Sequence, residues 1–164
     1  MTEKTTFEIL RELEFLTGIA DEYLQKIAAL ATLESHDANV TVFREGDPAS
    51  NIYLVIEGKI SLEICAAGIG CRQILTVSQG DLLGWSPVLE QSRLTATART
   101  LTPTQLLRIP GSQIVTLCEH NPRFGYEFMR RAAIALAKRL TAARVQLLDV
   151  YGPGSGNQQQ EGGA

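Results

Sequence analysis

Histidine, cysteine and tryptophan are scarce: the 164 residues include two His, three Cys and one Trp. His36 and His120 have no Cys, Asp or Glu at a metal-binding spacing, and Asp37 beside His36 reads as an ordinary polar loop pair. Nothing local suggests a haem ligand. Cys65, Cys71 and Cys118 cannot all pair within one chain, and their spacing is not that of a zinc site. The expectation is a reduced, cytoplasmic protein with small, buried or half-buried thiols; Cys65 and Cys71 flank a turn at Ala66–Gly70, which would let them face each other across a hairpin, with redox sensing through them as the lesser alternative. Long hydrophobic runs are also missing. The longest, Ala132–Ala137, has six residues, far too few to span a bilayer. The start of the chain lacks the basic and apolar regions of a signal peptide. No Gly-x-Ser-x-Gly, phosphate loop, HExxH or paired-carboxylate pattern occurs, so the chain is read as no enzyme. Excess positive charge is lacking too. The net charge is −3, against a general nucleic-acid-binding surface.

What is present fits one globular domain. Hydrophobic residues make up 45%, and a chain of this length removes roughly 68–70% of its unfolded surface from water. Helices are expected over 6–31: Phe7, Leu10 and Leu13 recur at helical spacing. After Gly18, Asp21 is the expected N-cap of a second segment carrying Leu24, Ile27, Ala28 and Ala31 on one face. From 38 to 110 the pattern turns to short β-type runs: Val40–Phe43, Asn51–Ile56, Lys59–Ile64, Arg72–Val77, Asp81–Leu83, Thr95–Arg99 and Thr104–Ile109. Ile60, Leu62 and Ile64 alternate and are expected on one face. Glycine or proline separates most runs, which points to a barrel or sandwich.

Helical character returns over 111–151. Met129, Ala133, Leu136, Leu140, Ala143, Leu147 and Val150 follow each other at alternating steps of four and three, a heptad seam suited to pairing with a second helix. Phe124, Phe128, Ala132 and Ala135 form a second apolar face that would pack on the roll, leaving the seam for a homodimer. Arg130, Arg131, Lys138, Arg139 and Arg144 project from the other faces. Charge is accordingly uneven: residues 1–90 hold 14 acids and 6 bases (−8), and residues 91–164 hold 4 acids and 9 bases (+5). Residues 152–164, rich in Gly and Gln, are expected to be a disordered tail.

This order of elements resembles the cyclic nucleotide-binding domain, as in Crp/Fnr-type effector domains. Val42-Phe43-Arg44-Glu45-Gly46-Asp47 is similar to the family's hairpin motif, and Tyr53–Ile60, with Glu57-Gly58 at its turn, to its strand-turn-strand signature. Gly80-Asp81-Leu82-Leu83-Gly84 resembles the entry to the phosphate-binding cassette, and Ala96–Arg99 with Leu106–Ile109 the strand pair after it. The resemblance covers roughly 15–151 and implies an α+β, mainly β fold: a jelly-roll β-roll of about eight strands, N-terminal helices and a long C-terminal dimerisation helix.

It also implies a ligand site at Gly84, Trp85, Ser86, Val88, Ser92, Arg93, Leu94 and Thr95 for a cyclic nucleotide or another small anion. The cassette departs from the pattern. Trp85 stands where the family's ribose-binding Glu is expected, and an indole cannot accept a hydroxyl proton. Pro87 removes a backbone donor. Aligning Ala96 and Ala98 with the family strand puts Ser92 at the phosphate-binding arginine's place, and a one-residue shift turns Arg93 to the other face. These departures argue against standard cAMP binding. Two arrangements stay open for Trp85: apolar filler closing the pocket, or a stacking wall for a flat ligand. Leu147–Gly152 resembles the hinge that precedes a helix-turn-helix domain in the family's transcription regulators, but a Gly/Gln tail follows, so direct DNA reading is not expected. The expected function is a regulatory sensor signalling through the long helix to an unknown protein partner; the alternative is a ligand-free dimeric scaffold with a closed pocket.

Overall fold

The computed structural model describes residues 3–89 and 91–151, the last two through their backbone alone. Helix α1 (Thr6–Glu12) begins at a capping box: Glu8 N donates to Thr5 Oγ1, and Thr5 N donates to Glu8 Oε2. Asp21, the expected N-cap, does not cap helix α2 (Asp21–Leu30). Ala20 occupies the cap without a side-chain bond, and Asp21 is the first helical residue, its carboxylate at the positive end of the helix dipole.

Eight strands follow: β1 (Thr32–His36), β2 (Thr41–Phe43), β3 (Asn51–Glu57), β4 (Lys59–Ala66), β5 (Gly70–Ser78), β6 (Leu82–Leu83), β7 (Thr97–Thr100) and β8 (Thr104–Pro110). They form two antiparallel four-stranded sheets, ordered β1-β8-β3-β6 and β2-β7-β4-β5. The roll therefore begins at Thr32, earlier than the expected residue 38. Strand β1 escapes sequence reading because its Thr-Leu-Glu-Ser-His run carries one large apolar side chain. Tertiary contacts hold it: Glu34 pairs with Arg108 of β8 at 3.1 Å and lies 3.2 Å from His36 Nε2.

The period-2 alternation of the central strands builds two apolar cores. Tyr53, Val55, Leu83 and Leu106 point between the sheets, where they meet Phe43, Ile60, Leu62, Val77, Leu94 and Ala98. Their neighbours Ile52, Leu54, Leu82, Leu107 and Ile109 point outward and are covered by the helices. Buried on both faces, β3 thus reads as an unbroken apolar run. Ile64 leaves this pattern. A register shift beside Leu62 carries the β4–β5 hairpin past the roll, and Ile64 is exposed rather than inside with Ile60 and Leu62.

The β3–β4 turn depends on Gly58. Its φ is +102°, and a Cβ there would lie 2.5 Å from Thr104 Oγ1 and 2.6 Å from the Pro103 carbonyl oxygen. Gly58→Ala is expected to lower stability by at least about 2 kcal/mol, through positive-φ strain plus the clash. A thermal midpoint within a degree of wild type would refute this account.

Helices α3 (Gly111–His120) and α4 (Pro122–Tyr151) close the fold. Phe124, Phe128 and Ala132 of α4 are buried against α1, α2 and the outer face of the β3-containing sheet. No helix among the described residues is long and apolar enough to cross a membrane. The expected disordered tail, 152–164, lies outside the described residues.

Candidate functional site

The segment between β6 and β7 leaves the sheet at Gly84, which adopts φ +75° and passes so close to β3 that a Cβ would sit 2.9 Å from the Asn51 carbonyl oxygen. A short turn then closes on itself: Val88 N and Leu89 N both donate to Trp85 O, and Gln91 N donates to Ser86 O. The returning arm is tied to the hairpin motif. Leu94 N donates to Asp47 O, Gly46 N to Leu94 O, and Ala49 N to Ser92 O. The cassette and the Gly46-Asp47 turn are therefore one hydrogen-bonded unit.

Within it the expected ligand residues scatter. Trp85 is 6% exposed and belongs to the helix-side core, its ring 6.0 Å from Phe15. It is packed as filler and forms no open stacking wall. Its Nε1 is buried without a hydrogen-bond acceptor, so packing holds it there in spite of an unsatisfied donor. Val88 shares that core, whereas Leu94 fills the space between the sheets. Ser86 is buried; Ser92, Arg93 and Thr95 are exposed. Arg93 points outward and donates from Nη1 to the Gly46 carbonyl oxygen at 2.7 Å. Its one-residue offset thus places it on the outer rim, tying the cassette to the hairpin turn.

The expected seam of α4 is largely exposed. Leu140 and Leu147 are 63% and 58% exposed, and Met129, Ala133 and Ala143 are exposed too. Leu136 is half-buried against the helix-side core, as is Ala135 from the second apolar face. The side chain of Val150 lies outside the described residues. Met129 and Val88 also line a cleft of about 640 Å³ beside α3.

Sequence reading missed the tether between α4 and the cassette. Arg139 Nη2 donates to the carbonyl oxygen of Leu82, two residues before Gly84, and Arg131 Nη2 donates to that of Thr17. Burial lowers the Arg139 pKa from its ordinary value, and nearby Asp81 partly opposes that shift. Around this tether lies a cleft of about 410 Å³, between α4 and the turn joining β5 to β6. A helical arginine looks like any solvated cation in sequence; only the packing angle of α4 reveals its acceptor.

The family model for the cyclic nucleotide-binding domain matches residues 33–121, from β1 through α3. The chain belongs to the cyclic nucleotide-binding domain family. A solved structure from Geobacter metallireducens, described as a cyclic nucleotide-binding protein, shares 26% identity, with a TM-score of 0.74 over 84% of this chain and 99% of that one. The N-terminal domain of a Streptomyces coelicolor transcriptional regulator shares 25% identity, with a TM-score of 0.64 over 79% of this chain and 93% of that domain. Glutaminase 2 of Bradyrhizobium diazoefficiens is 26% identical over 87% of this chain. This chain spans 22% of that relative's length. Helix α4 lies beyond the matched residues.

Two cysteines of this cyclic nucleotide-binding domain correct the expectation of reduced thiols. Cys65 and Cys71 face each other across the β4–β5 hairpin and form a disulfide. The turn at Ala66–Gly70 was legible in the sequence; the hairpin register sets the two directly opposite each other, so that they bond rather than stay reduced. Cys118 is free, and burial, helped by Glu119, pushes its pKa up to about 11. Two results follow. At pH 8 Cys118 is expected to react with iodoacetamide far more slowly in the folded than in the denatured protein, because the thiolate is the nucleophile. With a folded pKa above the unfolded value, its stabilising contribution is complete below about pH 9 and is lost as pH rises towards 11. The Tyr53 phenol, raised by burial and by Glu34, acts in the same direction. A thermal midpoint that does not fall across that window would sink the assignment.

Proposed function

We propose that this chain is a non-enzymatic regulatory module, in which the position of α4 against the roll is the signal and a partner protein reads it. The observation that carries this is the division of α4. One face of its first three turns, Phe124, Phe128 and Ala132, is buried, whereas Leu140, Leu147 and Leu148 beyond them are more than half exposed. A helix whose distal apolar seam the chain leaves uncovered fits a homodimer, and in that dimer each α4 would be held by the other. The Arg139–Leu82 tether supports coupling to the cassette, since displacing either end breaks a charge-assisted hydrogen bond. A ligand at Gly84–Thr95 would act as a switch by binding one helix position better than the other. The glutaminase activity in those relatives' names finds no support in this chain's residue patterns, and the shared region is a domain-sized 22% of each relative's length.

A second reading is favoured by Trp85, Leu94 and Arg93. Two fill cores and the third is committed to Gly46. On that reading the pocket is closed and the module is a dimeric scaffold. Thermal unfolding with cAMP, cGMP, cyclic dinucleotides, nucleotides, 2-oxoglutarate and haem separates the two. A ligand at a hundred times its dissociation constant adds about 2.7 kcal/mol and raises the midpoint by roughly 5–10 °C. The sensor reading expects one such shift, abolished by a cassette substitution; no shift with any of the compounds leaves the scaffold.

A further inference from the structure

The tip of the β4–β5 hairpin gathers chemistry that no part of the proposed signalling uses. Cys65 and Cys71 are directly opposed in the hairpin register. Glu63 lies two residues before Cys65 on the same strand and hence on the same face. One donor atom from each of the three comes within 4.8 Å of the others. The Glu63 carboxylate is unusually available. Its Oε1 accepts from Ser61 Oγ at 3.3 Å, whereas Oε2 is buried without a hydrogen bond, its nearest cation being Arg99 Nε at 3.7 Å. Glu45 is committed elsewhere: its Oε2 accepts from Cys65 N.

We propose that reduction of the Cys65–Cys71 disulfide converts this tip into a zinc site with two thiolates and the Glu63 carboxylate as ligands. The chemistry balances in two steps. A small dithiol attacks one sulfur and expels the other as a thiol, leaving a mixed disulfide, and its second thiol then closes on the dithiol's own sulfur in that bond and expels the first. The dithiol leaves as its own disulfide, and Cys65 and Cys71 receive two electrons and two protons. Zinc binding then releases both thiol protons to solvent.

Donor type and charge both suit this ion. Thiolates with one oxygen favour zinc over magnesium or calcium. Tetrahedral coordination sets donors about 3.5–3.8 Å apart, so the freed sulfurs separate and the carboxylate, already within 4.8 Å of both, needs to close by no more than about 1 Å. Three anionic donors leave −1 around a divalent ion, and Arg99 offsets it. The fourth position is left for water. Because the disulfide consumes both sulfur donors, covalent clasp and metal exclude each other.

The test is anaerobic titration of the full chain with Co2+ as the spectroscopic probe, after reduction by a dithiol and its removal. The reduced protein is expected to take up one equivalent, with a thiolate-to-cobalt charge-transfer band that Zn2+ abolishes. The disulfide form, which needs no substitution, is expected to show none. Cys118→Ser should keep the band, Cys65→Ser and Cys71→Ser should lose it, and Glu63→Gln should weaken binding at least tenfold. The proposal is overturned if the reduced chain binds no Co2+, if the disulfide form binds equally, or if Glu63→Gln binds as wild type.

Discussion

Leu140→Lys is expected to turn a dimer into a monomer in static light scattering. Leu140 is 63% exposed, belongs to neither apolar core, and sits at the centre of the Met129–Leu147 seam. In a two-fold pairing the same position recurs on both helices, so one substitution introduces two charges at one contact. Each must lose water or splay the helices apart, at a cost of several kcal/mol for an unpaired buried ion. Since 1.4 kcal/mol is tenfold, association should weaken by roughly a thousandfold or more. The roll should survive, because no intrachain packing is lost. Emission from Trp85, the single tryptophan and a buried one, gives that control. A wild-type chain that is monomeric at micromolar concentration, or a variant that stays dimeric, would remove the seam from the account.

The largest stability effect is expected at Phe124. Its ring is 2% exposed, stacks on Tyr23 at 5.1 Å and 25°, and lies 5.8 Å from Phe128. It joins α4 to α2, so truncation opens a cavity at the junction of the helices. Phe124→Ala should cost about 3–5 kcal/mol and lower the thermal midpoint by roughly 6–20 °C. Phe124→Leu, which keeps most of the volume, should lose much less. A loss below about 1 kcal/mol for the alanine variant would mean that α4 packs differently.

Much of the roll could be read in advance. Asn51–Ile56, Lys59–Ile64 and Thr104–Ile109 appear as β-type runs, each within one or two residues of the strand end, because alternation and β-branching are local properties of the chain. The turn at Glu57-Gly58 is legible for the same reason: positive φ selects glycine whatever surrounds it. Strand β1 was not legible, since its place rests on Glu34 meeting Arg108, 74 positions away. The cassette was half legible. That Trp85 cannot accept a hydroxyl proton follows from its chemistry; that it packs against Phe15 follows from the fold.

By itself the sequence determined the class of elements, the turn glycines, the family and the apolar seam of the last helix. All of these depend on residue type and on spacing within a few turns or strands. Tertiary structure alone decided that Cys65 and Cys71 are in register to bond, that Arg93 reaches Gly46, and that Arg139 reaches Leu82. Those contacts depend on strand register and on the angle at which α4 crosses the roll. Register and crossing angle are set by how whole faces interlock, so no single residue or short spacing encodes them.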